Sequence, residues 1–112
     1  MIFAKFHKAE NGSISMTLKG HARAAPKGED LICAAATTLA YTAAQAVSFF
    51  YEQGKLKRIP KIDMRDGSAV VIATPTQEGY AEVLHAFWVV QCGIHLLCCN
   101  YPEHIRMEYL TV

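Results

Sequence analysis

A chain of 112 residues that is 52% apolar is long enough for one domain with a modest core, too short for two, and too apolar to stay disordered. Its formal net charge of +1 demands neither nucleic acid nor an anionic membrane as partner. No basic segment followed by an apolar run and a small-residue cleavage site opens the chain, so Cys33, Cys92, Cys98 and Cys99 read as reduced thiols and the single domain, 1–112, as cytoplasmic.

Residues 2–8 and 13–19 read as a hairpin. Ile14, Met16 and Leu18 alternate with polar residues at the period of a half-buried strand, and Asn11-Gly12 tolerates the positive φ of a tight turn. The hairpin delivers the chain to Gly20-His21-Ala22. A loop from Ala22 to Glu29 follows, with Pro26 and Gly28, and reads as exposed and mobile. An Ala-rich helix is expected from about Leu31 to Gln53, capped by Asp30 and stopped by Gly54. The basic residues Lys55, Lys57, Arg58 and Lys61 after it read as a solvated loop.

A second hairpin is expected over 59–73, turning at Asp66-Gly67. Thr74-Pro75-Thr76-Gln77 then reads as a helix start with a Thr74 cap, giving a helix from about Gln77 to Cys99. Its stretch Leu84 to Cys99 is apolar on nearly every side. That stretch falls short of the roughly 20 residues a bilayer needs, and His85, Gln91 and His95 interrupt it, so it must be covered by the sheet and first helix or by a second subunit. A homodimer is the expectation. Ile105 to Val112 alternates as a final strand closing inside the sheet. The order ββαββαβ predicts an α+β fold, a mixed or antiparallel sheet of about five strands with two long helices, layered as a two-layer sandwich or a three-layer variant.

The chemistry gathers at the first helix. Cys33 falls in its first turn, where N–H groups lack intrahelical partners and the dipole is positive, and both effects favour thiolate over thiol. His21 at the other end of the loop would supply an acid/base partner. A metal centre is not expected: Cys92, Cys98 and Cys99 with His85 and His95 stand at Cys-x5-Cys-Cys and His-x9-His spacings that do not bring four ligands round one point. Cys98 and Cys99 read as buried small apolar residues, His7 and His104 as surface residues. No Gly-x-Ser-x-Gly elbow is present.

Gly20-His21-Ala22, then Gly28-Glu29-Asp30-Leu31-Ile32-Cys33-Ala34-Ala35, resembles the signature of the bacterial ribosomal-processing cysteine protease family, Prp, and Tyr101-Pro102-Glu103-His104-Ile105 resembles that family's ending. The resemblance implies a dimeric cytoplasmic cysteine endopeptidase that removes an N-terminal extension from large-subunit ribosomal protein twenty-seven, with His21 and Cys33 at the catalytic positions. Family members commonly carry Ser where this chain has Thr37, and the loop Arg23 to Lys27 is poorer in glycine than the family's. The mechanism expected has the Cys33 thiolate attacking the scissile carbonyl, His21 protonating the leaving amine, and N–H groups around Cys33 and Ala34 facing the oxyanion. Asp30 caps the helix, the favoured role, or orients His21, and Gly20 and Gly28 give backbone freedom. No cofactor, no metal, no membrane and no direct nucleic-acid contact is called for. The loop can stay open until a peptide orders it, so a separation of His21 and Cys33 in the free enzyme is compatible with the dyad. The competing reading is a non-enzymatic, ribosome-associated or RNA-binding dimeric module in which Cys33 is merely packed.

Overall fold

The computed structural model describes residues 1–26 and 29–110. Seven elements follow the expected order: β1 (Ile2–Lys8), β2 (Ile14–Gly20), α1 (Leu31–Glu52), β3 (Lys61–Arg65), β4 (Ser68–Ala73), α2 (Tyr80–Asn100) and β5 (Ile105–Glu108). They form one five-stranded sheet in the order β3-β4-β2-β1-β5. Neighbours are antiparallel except β1 and β5, which run parallel, so the sheet is mixed. Both helices lie on one side of it, giving two layers rather than three.

Alternation decides which side. Ile2, Ala4 and Phe6 of β1, Ile14, Met16 and Leu18 of β2, and Ala69, Val71 and Ala73 of β4 are buried under the helices, while Phe3 on the opposite face is exposed. The two hairpins turn where expected, with Gly12 at φ +90° and Gly67 at φ +71°. Ala36, Ala40, Ala43 and Ala44 of α1 are buried, and the two helices meet closely at Gly93 of α2, where a Cβ would lie 2.6 Å from Leu39 Cδ2. Length and hydropathy alone would let either helix cross a bilayer, yet each has a buried stripe within the fold, Val83, Leu84, Phe87, Val90 and Ile94 in α2.

Two expectations need correction. Helix α2 begins at Tyr80, not Gln77, and Thr74 does not cap it. Residues 74–76 pair instead with 55–57: Leu56 and Pro75 form an isolated bridge, Lys57 N–H donates to the Thr74 carbonyl (2.8 Å), and Thr76 N–H donates to the Lys55 carbonyl (2.9 Å). The N-cap is Gly79, with no side-chain cap, and the Thr76 hydroxyl closes the turn before it by accepting from Gly79 N–H at 3.0 Å. The final strand stops at Glu108 and lies at the sheet edge beside β1, not inside it; the expected continuation through Val112 reaches residues outside those described. The sheet and α1 supply the expected cover on the inner side of α2, and within this one chain Trp88, Val89 and Leu96 are exposed on its other side.

Candidate active site

Strand β2 ends on a residue that must be glycine. Gly20 has φ +98°, and a Cβ there would stand 2.3 Å from the Met1 carbonyl oxygen. Its N–H donates to the Gly67 carbonyl (2.9 Å), which ties the end of β2 to the β3–β4 turn. His21 follows with its imidazole against that turn: a Cβ on Gly67 would lie 2.7 Å from His21 Nε2.

Cys33 is set by the helix cap. Asp30 Oδ1 accepts from the N–H groups of Ile32 and Cys33, both at 3.0 Å, and Oδ2 accepts from Ala24 N–H at 2.9 Å. The Cys33 N–H bond holds the buried Asp30 carboxyl below the usual aspartate range against the opposing effect of burial, and the Ala24, Ala25 and Ile32 N–H groups add to it. The cap therefore binds both ends of the loop that separates His21 from Cys33. Ala22 within that loop is buried rather than exposed, and its N–H donates to Cys33 Sγ at 3.3 Å. Arg23 just after it has φ +57°. Gly28 lies outside the described residues.

The cap also corrects the expected oxyanion donors. Cys33 N–H is taken by the Asp30 side chain and Ala34 N–H by the Asp30 carbonyl (3.0 Å), so neither is free for a ligand in this conformation.

His21 and Cys33 do not hydrogen-bond to one another, but they share two adjoining hollows, of about 340 and 690 Å³. Thr37 and Tyr41, one and two turns after Cys33, wall both. Their four-residue spacing is the sequence signal that could have found Tyr41. Asp66 and, in the smaller hollow, Met64 and Gly67 bring in the β3–β4 hairpin, which local sequence gave no reason to join to the site.

His104 is not simply a surface residue. It is half-buried, and Nδ1 lies 2.8 Å from the Ala22 carbonyl oxygen. Cys98 is half-buried, with its thiol pushed up by burial and by neighbouring Cys99, whereas Cys99 is exposed rather than buried and lies 3.4 Å from His95 Nε2. Among the described residues, no three of His, Cys, Asp and Glu gather closely enough to hold a metal ion.

The family profile described as cysteine protease Prp matches residues 1–106. The chain belongs to the Prp cysteine protease family. It is therefore a cysteine peptidase of the ribosomal-processing class, which decides between the enzymatic and non-enzymatic readings. Solved structures share the Prp fold. The essential ribosomal processing protease Prp from S. aureus, with a covalently linked product peptide, superposes with a TM-score of 0.71 at 20% identity, covering 97% of this chain and 99% of that one. The same enzyme with a substrate peptide gives a TM-score of 0.67 at 19% identity over the same shares. SMU.848 from Streptococcus mutans gives 0.70 at 27% identity, covering 100% of this chain and 96% of that one. No curated protein matches the chain.

Proposed function

We propose that this Prp-family chain is a cytoplasmic, homodimeric endopeptidase that cuts the N-terminal extension from large-subunit ribosomal protein twenty-seven, with Cys33 as nucleophile and His21 as its acid/base partner. The observation that carries the reading is the meeting of a first-turn thiol and an imidazole on the same hollows, within residues 1–106 matched by the family. The peptide-bound Prp structures from S. aureus support a peptide substrate.

The chemistry follows. Cys33 Sγ forms a bond to the scissile carbonyl carbon, and the C–N bond breaks as His21 gives its proton to the leaving amine. Water then attacks the thioester, His21 takes its proton, and Cys33 leaves as thiolate. The hydrogen bond from Ala22 N–H favours that anionic sulfur. With the first-turn N–H groups held by Asp30, the supporting hydroxyl is that of Thr37. Asp30 acts as the helix cap, Gly20 as the bend that presents His21, and Ala34 as a cap-bound residue of the first turn. No metal or organic cofactor has a part in these steps.

Incubating the extended ribosomal protein with wild type, Cys33→Ala and His21→Ala, and reading intact mass, tests the reading. Cleavage by wild type alone is expected. Cleavage by Cys33→Ala would refute the thiol mechanism. An uncut substrate alongside selective alkylation of Cys33 would refute the substrate.

A further inference from the structure

We infer that His104 is a positioning residue for the nucleophile, acting through Ala22; the inference rests on Cys33 being that nucleophile. Ala22 is held on both of its backbone polar groups. Its N–H donates to Cys33 Sγ (3.3 Å), and its carbonyl lies 2.8 Å from His104 Nδ1, a contact that spans 82 positions of sequence. A carbonyl offers only lone pairs, so Nδ1 carries the hydrogen and donates it.

The backbone around Ala22 cannot reach this arrangement by local preference. Gly20 before it has φ +98° and Arg23 after it has φ +57°, and Ala22 itself is 1% exposed. A carbonyl in so buried a residue needs a partner, and the imidazole supplies one. His104 is itself fixed: its carbonyl accepts from Ile2 N–H (2.8 Å), and its N–H donates to the Tyr101 carbonyl (2.9 Å). The start of β5 is thereby tied to β1, and the imidazole is carried on a rigid support. Removing the ring leaves the Ala22 carbonyl to seek water. Turning that residue takes its N–H from the sulfur and shifts His21, the residue next to it.

A structural staple alone would change stability and nothing else, so the test reads the thiol. Wild type, His104→Ala, His104→Asn and His104→Gln are treated with limiting iodoacetamide at neutral pH. The rate at Cys33 is followed by mass, with kcat and KM on the extended ribosomal protein and a thermal melt in parallel. The other titratable groups around the hollows, His21, Arg23, Asp30, Tyr41, Arg65 and Asp66, are the same in every variant. His104→Ala should slow alkylation roughly threefold, since a smaller thiolate fraction is partly offset by greater nucleophilicity, and should lower kcat about tenfold with KM little changed. The Asn amide nitrogen stands where Nδ1 stood and should restore most of both. Gln, whose amide reaches the Nε2 position, should not, and this contrast decides the matter if His104→Ala fails to fold. A folded His104→Ala with wild-type alkylation and kcat would overturn the inference. So would Asn and Gln behaving alike. If Cys33→Ala still cleaves, the nucleophile reading falls and this one with it; an inactive Cys33→Ala beside a normal His104→Ala overturns this one alone.

Discussion

At the scale of one residue, Asp30 shows how a cap becomes part of a site. One oxygen closes the first turn of α1 and the other holds Ala24, so the carboxylate fixes both the thiol-bearing turn and the loop that arrives there from His21. Its folded pKa is depressed, chiefly by the Cys33 N–H bond. The charge therefore contributes stability that is fully present above the ordinary aspartate pKa of about 3.9 and is lost as pH falls through the lower folded value. Asp30→Asn keeps a capping oxygen and deletes the charge. In urea titrations at pH 7 it should cost about 1 kcal/mol, and the gap from wild type should close in acid as the native carboxylate protonates. A gap that stays constant from pH 7 to acid would rule this account out. The cap was legible in the sequence because Asp before an Ala-rich run has a local cause. Its hold on Ala24, and the loss of Cys33 and Ala34 N–H as oxyanion donors, depend on the loop's path, which local pattern does not encode.

At the scale of elements, the hairpins were legible because Asn11-Gly12 and Asp66-Gly67 each supply the positive φ that their turns need. The start of α2 was not. Thr74-Pro75 has the local chemistry of a helix N-terminus, but the chain there is taken by the bridge to residues 55–57, and the helix waits until Gly79. The strand β5 was legible from its alternation, but its place was not: parallel pairing with β1 at an edge leaves no local mark. The crossing at α2 is tight, since a Cβ on Gly79 would lie 2.6 Å from the Lys55 carbonyl oxygen, a backbone atom. Gly79→Ala should destabilise the fold by about 1–3 kcal/mol despite alanine's better helix propensity. Thr76→Ala, which loses only the hydroxyl contacts to Gly79 and Lys55, should cost about 1 kcal/mol. Thermal melts that rank Gly79→Ala above wild type would mean that the crossing has room.

At the scale of the whole molecule, the remaining question is what meets the outer side of α2. A helix apolar all round requires a cover, and the sheet and α1 provide half of it. Trp88 (48% exposed), Val89 (63%) and Leu96 (61%), with half-buried Cys92 between them, fall at the three- and four-residue spacings of a single helix face. In the homodimer proposed above, a second copy presenting the same stripe satisfies both faces at once, since a two-fold contact is self-complementary. Stable association of this kind buries about 800 Å² on each partner, so it draws on the whole stripe, with Trp88 as its largest side chain. His21, Cys33 and both hollows, by contrast, belong to α1, the end of β2 and the β3–β4 hairpin of one chain. Trp88→Glu should accordingly convert a dimer to a monomer in sedimentation velocity while leaving the melting temperature and the Cys33 alkylation rate close to wild type. A wild type that sediments as a monomer at every concentration would remove the dimer. A Trp88→Glu monomer that loses Cys33 reactivity would show instead that the second copy reaches the site.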